Sequence, residues 1–325
     1  MEPIPVTIVT GFLGSGKTTL LNRLLDHAGG RRLGILLNDF GQIAIDARLL
    51  QSRDQDVVEL ANGCVCCTVR DDVVPALARL LERAPAPQAI VVETSGLADP
   101  APLARQLLAP PLQAVVRLDA VVTVVDAANF DRALDYAESA YGQITCADLL
   151  LLNKVDLVAP PIVAQVERGL QELNPTARRL RCVRAEVPPA LVLDWGGGLA
   201  RERAPDAHAP APAVTTRPLP WGLHGDRFRA VSLRLPRPLD LQRLGRLLDA
   251  LPPAVFRAKG VLHLDGVSRR VLLHLVGGRW TVTAGVPWAD GEERSSELVL
   301  IARDLADDEL GRLRRALEDC QVALP

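Results

Sequence analysis

Apolar runs and helical spacings alternate along the first part of the chain, up to about Arg184. Val6–Thr10, Leu33–Leu37, Ala89–Val92, Ala120–Val125 and Leu149–Leu152 have the length and composition of buried strands. Between them, Thr19–Asp26 repeats leucine at Leu20, Leu21, Leu24 and Leu25, and Pro75–Glu82 also has helical spacing. Strands that are apolar throughout and separated by helices predict βαβ units, with a mainly parallel sheet covered on both faces. The expected fold class is therefore α/β.

The pattern changes after residue 186. Residues 187–226 hold Pro188, Pro189, a glycine run at Gly196–Gly198 and the stretch APDAHAPAPA, the composition of a linker. From residue 227 the spacing is regular again. RFRAVSLRL, GVLHL, RVLLHLV, RWTVTAG and Glu297–Ile301 read as strands, and Leu239–Leu251 and Asp307–Leu317 as amphipathic helices. That order predicts a small α+β domain with helices on one face of an antiparallel sheet. The expected organisation is 1–186, a linker at 187–226, and 227–325.

Composition narrows the class. With 48% hydrophobic and 23% charged residues and a net charge of −2, the 325-residue chain has the profile of a soluble globular protein. Nothing global calls for nucleic acid or an anionic membrane as partner. No apolar run approaches the ~18 residues of a membrane span, and the start MEPIPVTIVTGF lacks a basic n-region, so a cytoplasmic location is expected. Lys and Arg total 37, yet only Lys17, Lys154 and Lys259 are lysine. Lysine kept in an arginine-rich chain suggests sites that need a compact ammonium.

Gly11-Phe12-Leu13-Gly14-Ser15-Gly16-Lys17-Thr18 has the Walker A spacing between a strand and a helix. Its glycines let backbone N–H groups curl around phosphate oxygens at the positive end of the following helix. Lys17 is placed to reach the β- and γ-phosphates, and Thr18 to ligate Mg²⁺. Asn153-Lys154-Val155-Asp156 follows a later strand. A carboxylate at 156 can accept from both donors on one edge of guanine, and adenine would leave it unpaired. Lys154 can lay its stem along the base, and Asn153 can tie this loop to the P-loop. Glu93, at the end of the strand before Thr94-Ser95-Gly96, can hold the Mg²⁺ shell, with Gly96 supplying an amide near the γ-phosphate. Together these motifs predict a P-loop nucleotide hydrolase specific for GTP over ATP.

Three of the six cysteines, Cys64, Cys66 and Cys67, fall within four residues. Thiols this close suit a soft metal such as Zn²⁺. On a regular strand Cys67 would face away from the other two, so a shared ion requires a turn. Buried small cysteines beside a ligand, or a redox pair, fit the same residues. Cys146, Cys182 and Cys320 are isolated and read as core residues.

Taken in order, GFLGSGKTTLLN, NDFGQIAID, ELANGCVCCTVRDD, VVETSGLADPAP and LLLLNKVDL resemble the CobW family of GTP-dependent metallochaperones, and FRAKGVL and VLLHLVGGRW resemble its C-terminal domain. The resemblance implies phosphate binding by Gly14, Ser15, Gly16, Lys17, Thr18 and Thr19, and guanine reading by Asn153, Lys154 and Asp156, with Arg184-Ala185 roughly at a second guanine loop. It implies Zn²⁺ or Co²⁺ on Cys64, Cys66 and Cys67, and GTP hydrolysis to GDP that drives metal transfer to a client metalloprotein. The catalytic set expected is Lys17, Glu93 and Asp39. A nucleotide-dependent homodimer is a candidate assembly; neither nucleic acid nor membrane is expected as partner.

The sequence also departs from the family pattern. Where that pattern reads NEFGE, this chain has Asn38-Asp39-Phe40-Gly41-Gln42, and the histidine-rich linker of many members is missing. Three other readings use the same motifs: a P-loop kinase of a small metabolite, a GTP-regulated interaction module with structural zinc, and a redox sensor using Cys66 and Cys67. Lys259, in Phe256–Gly260, is expected either to contact the GTPase domain or a client, or to lie in a solvated basic turn.

Overall fold

The first strand, β1 (Ile4–Thr10), carries six consecutive buried residues and sits near the middle of a wholly parallel sheet. Its companions are β2 (Leu33–Leu37), β3 (Asp56–Glu59), β4 (Ala89–Glu93), β5 (Val116–Asp126), β6 (Leu149–Asn153) and β7 (Arg178–Arg181), in the order β3-β2-β4-β1-β5-β6-β7. These elements belong to a computed structural model that describes residues 3–28, 31–37, 56–59, 69–194, 214–218, 228–289 and 291–322. The chain divides into two compact units, Met1–Gly196 and Gly197–Pro325.

Helices α1 (Lys17–Asp26), α2 (Val69–Leu81), α3 (Ala101–Leu107), α4 (Pro110–Gln113), α5 (Phe130–Tyr136), α6 (Glu138–Thr145), α7 (Pro160–Leu173) and α8 (Pro189–Val192) connect and cover this sheet. One core cluster joins Leu77 and Leu80 of α2 and Leu107 of α3 to Ile8, Ile90 and Val92. A second joins Phe130, Ile144 and Leu170 to Val125, Leu150 and Leu152. In the ladder Val9 lies opposite Glu93, Thr10 opposite Thr123, and Asp126 opposite Asn153. These residues therefore gather at the carboxyl ends of adjacent strands. Ligands of open parallel sheets bind outside those ends.

Three differences from the sequence reading have plain causes. β3 and β7 were not anticipated, because DVVE is short and RRLR is charged; both lie at sheet edges, where apolar composition is not required. β5 starts at Val116, and its polar positions Arg117 and Asp119 pair with each other inside the fold. Residues 187–194, read as linker, belong to the first unit, with Leu191, Val192 and Leu193 buried. The Arg117 guanidinium pairs there with both Asp119 and Asp194, and Thr7 Oγ1 donates to Val192 O at 3.0 Å. Burial by itself lowers the Arg117 pKa, but the two carboxylates outweigh it and hold the group above its ordinary value.

The second unit is a six-stranded antiparallel sheet in the order β12-β11-β10-β13-β9-β8. Its strands are β8 (Val214–Pro218), β9 (Phe228–Leu235), β10 (Val255–Leu262), β11 (Arg269–Val276), β12 (Arg279–Pro287) and β13 (Ser296–Arg303). Two helices, α9 (Leu241–Asp249) and α10 (Asp307–Glu318), put Leu244, Leu248, Leu313 and Leu317 into one cluster with Leu233, Leu273 and Leu300 of the sheet. Asp240 caps α9 by accepting from Arg243 N at 2.8 Å. β8 lies within the stretch read as linker and extends the sheet beside β9. Lys259 lies inside β10, between His274 and Val299, not in a turn.

Candidate nucleotide site

The loop between β1 and α1 takes its shape from glycine. Gly11, Gly14 and Gly16 all have positive φ, at 139°, 74° and 112°, a region that L side chains rarely adopt. At Gly16 space is also closed, since a Cβ there would lie 2.5 Å from Asn153 Nδ2. Lys17 starts α1 and is buried; its ammonium donates to Gly11 O at 2.9 Å and Phe12 O at 3.4 Å. It therefore stands inside the loop, on carbonyls that a phosphate oxygen would outcompete for a full positive charge. Thr18 is half-buried and Thr19 exposed at the same helix start, while Ser15 is fully buried and its hydroxyl has no partner among the described residues.

Glu93 ends β4 beside this loop and is 5% exposed. The chain then runs as a loop packed on the P-loop. Thr94 N donates to Val9 O at 2.9 Å and Thr94 Oγ1 to Thr10 Oγ1 at 2.7 Å. Gly96 lies so close that a Cβ would fall 2.8 Å from Leu13 N. Thr18 and Glu93 offer hard oxygen donors, a set that fits Mg²⁺ and not a soft ion.

On the other side of β1, Asn153 is 2% exposed and uses both the nitrogen and the oxygen of its amide. Its Nδ2 donates to Ser15 O at 2.9 Å, while its Oδ1 accepts from Ala185 N at 2.9 Å and from Cys182 Sγ at 3.6 Å. The tie to the P-loop expected of Asn153 is thus present. Arg184 and Ala185 both have positive φ, 51° and 53°, and Arg23 Nε of α1 donates to Arg184 O at 2.7 Å. Lys154 is left-handed as well, at φ 62°, and Asp156 follows it, exposed, in a short 3₁₀ turn (Val155–Leu157). Burial pushes the Cys182 thiol up to about 12.

Phosphate loop, acid, and base loop thus converge from β1, β4 and β6, although up to 138 residues separate the bonded groups. Asp39, Cys64, Cys66 and Cys67 lie outside the described residues. Among the described residues no group of three His, Cys, Asp or Glu could hold a metal ion. No described helix is long and apolar enough to cross a membrane.

The family description CobW/HypB/UreG, nucleotide-binding domain, matches residues 5–181, and the cobalamin synthesis protein cobW C-terminal domain matches residues 228–321. The chain belongs to the CobW family. This CobW-family chain is 33% identical over 331 residues to the zinc chaperone CobW of Sinorhizobium sp., covering 92% of each chain. It is 32% identical over 354 residues to the zinc chaperone CobW of Pseudomonas aeruginosa, covering 98% of this chain and 92% of the relative. The zinc chaperone YjiA of Escherichia coli is 28% identical over 322 residues, with 95% and 97% covered.

Two residues of the CobW-family site were not singled out from sequence. Asp126, at the end of β5, accepts from Lys154 Nζ at 2.7 Å. Gln143, on α6, donates to two carbonyls of the loop after Glu93. The one local signal was Asp126 standing after five apolar or small residues, the same position that drew attention to Glu93.

Proposed function

We propose that this CobW-family protein binds and hydrolyses GTP and acts as a metallochaperone, loading a transition metal on Cys64, Cys66 and Cys67 and passing it to a client metalloprotein under control of the nucleotide. Zinc is the cargo favoured, because three relatives matched over nine-tenths or more of their length are named zinc chaperones; cobalt is a second candidate ion for a thiolate set. The observation that carries GTP is the Asn153 amide, which fixes the loop bearing Lys154 and Asp156 to the P-loop carbonyl of Ser15. A base read by Asp156 then has its phosphates delivered to Gly11, Gly14, Ser15, Gly16, Lys17, Thr18 and Thr19 in one register.

In this reading Mg²⁺, when bound, neutralises phosphate charge. Thr18 and Glu93 hold it, Lys17 leaves the Gly11 and Phe12 carbonyls for the phosphates, and Gly96 presents its N–H to the γ-phosphate. Asp39 lies in the switch segment Asn38–Asp46, and the cysteines lie in sequence between that segment and the loop at Gly96, so GTP sets the metal geometry from both sides. Hydrolysis alters that segment and the metal leaves. The protein works in the cytoplasm, alone or as a nucleotide-dependent homodimer.

Anaerobic competition titration of Zn²⁺ and Co²⁺, in the presence of GDP or a non-hydrolysable GTP analogue, tests this. A difference of about tenfold in metal affinity, ~1.4 kcal/mol of coupling, is expected, with the reciprocal shift in nucleotide affinity. Cys66→Ser should lose the metal and keep GTP. Equal metal affinity in both nucleotide states would make the zinc structural and remove the delivery role.

A further inference from the structure

The loop after Glu93 is held from a direction that the nucleotide motifs do not reveal. Gln143 is 1% exposed, on α6, and its Nε2 donates to Gly96 O at 3.1 Å and to Ala98 O at 3.0 Å. Both amide protons are thereby committed to one loop. The backbone carbonyl of Gln143 accepts from Thr123 Oγ1 of β5 at 2.6 Å, so the helix is itself pinned to the sheet. Inside the loop, Leu97 N donates to Ser95 Oγ at 3.3 Å and Ala98 N to Ser95 O at 3.0 Å. On its other side Gly96 touches the P-loop at Leu13. Gly96 is thus clamped, P-loop on one face and the Gln143 amide on its carbonyl, and its N–H is not used in any of these bonds.

A buried primary amide with two protons on two backbone carbonyls is a geometric constraint. Leaving both carbonyls unsatisfied in the interior is costly, so the Gln143 amide favours one seat for the loop. That seat matters at one point only. In the proposed reading the base and the α- and β-phosphates fall to residues of β1, α1 and β6, and the loop at Gly96 takes the last phosphate.

We propose that Gln143 is a positioning residue for the γ-phosphate: it seats the Thr94–Asp99 loop against the P-loop so that the Gly96 N–H is preorganised for GTP and idle with GDP. This deepens the reading that the P-loop takes GTP and rests on it. Its signature is a split between the two nucleotides, which a residue needed only for packing would not produce.

The test uses the full chain and two variants. Gln143→Glu keeps the shape of the side chain and, when ionised, removes both donors; Gln143→Leu removes the polar group. GDP affinity should stay near wild type in both. Single-turnover GTP hydrolysis should fall by about 10²-fold, the scale of a ~1 Å misplacement at a reacting centre, and binding of a non-hydrolysable GTP analogue should weaken while GDP binding does not. Gln143→Glu should recover part of its hydrolysis as pH falls and its carboxyl gains a proton to donate. Equal losses for GDP and the analogue, wild-type hydrolysis in either variant, or failure of both variants to fold would each overturn the role. If the wild-type protein binds neither guanine nucleotide, the GTP reading itself is wrong; wild-type binding with unsplit variants removes Gln143 alone.

Discussion

Lys154 and Asp126 form an ion pair of 2.7 Å, with the Asp126 side chain 9% exposed and that of Lys154 30%. Asp126 is held in turn, its Oδ1 accepting from Ala128 N and its Oδ2 from Asn129 Nδ2, both at 2.9 Å. Lys154 therefore has a fixed ammonium at one end and a left-handed backbone at the other. In the proposed reading its aliphatic stem, running between those two fixed points, is what a flat base would lie along. Asp126→Asn should weaken GTP and GDP alike, by about tenfold or ~1.4 kcal/mol. Calorimetric titration with each nucleotide checks it, and unequal losses would place Asp126 in the phosphate half instead.

Asp156 is exposed at the end of the same loop. A carboxylate accepts two donors, whereas an amide offers one donor and one acceptor. Xanthine carries a carbonyl where guanine carries its exocyclic amine. Asp156→Asn should therefore lose GTP by on the order of 10²-fold or more and gain xanthosine triphosphate. Hydrolysis assays with both nucleotides measure the exchange; undiminished use of GTP would remove Asp156 from the base site.

The Arg117 guanidinium has two buried acidic partners, Asp119 and Asp194. Removing Asp194 leaves Arg117 paired with Asp119 but takes away a hydrogen bond to a charged group, which typically costs about 1.5–3 kcal/mol. Asp194→Ala should destabilise the first unit on that scale and release residues 187–194, with proteolysis appearing there first. Chemical denaturation together with limited proteolysis reads both effects.

With its thiol pushed up to about 12, Cys182 stays protonated below that pH and is not a nucleophile. Alkylation of the folded protein at pH 8 should leave it unmodified, and denaturation should expose it. Peptide mass spectrometry distinguishes the two states.

The phosphate cradle was legible because its parts are contiguous. Eight residues in a row specify a glycine-rich turn and a helix start, and no distant contact is needed to see them. The base loop was legible for the same reason, and so was the sheet, since its central strands are apolar from end to end. Gln143 was not. Glutamine on an eight-residue helix has no periodic signal, and its partners are 45 and 47 positions away. Residues 187–194 were read as linker because Pro188 and Pro189 open a stretch that runs on into glycine-, proline- and alanine-rich sequence, while the group that pairs with Asp194, Arg117, is 77 residues upstream. β8 was hidden in the same way, being a strand only because β9 lies beside it.

Asn153 has consequences for anyone who would retarget this scaffold to another base. Its amide nitrogen donates to Ser15 O and its oxygen accepts from Ala185 N and Cys182 Sγ. An aspartate there would have no proton to donate, a serine would fall short, and a glutamine would overreach the space that Gly16 leaves. The part of the base reader open to redesign is therefore two side chains wide, Lys154 and Asp156, mounted on a bracket whose own identity is not negotiable.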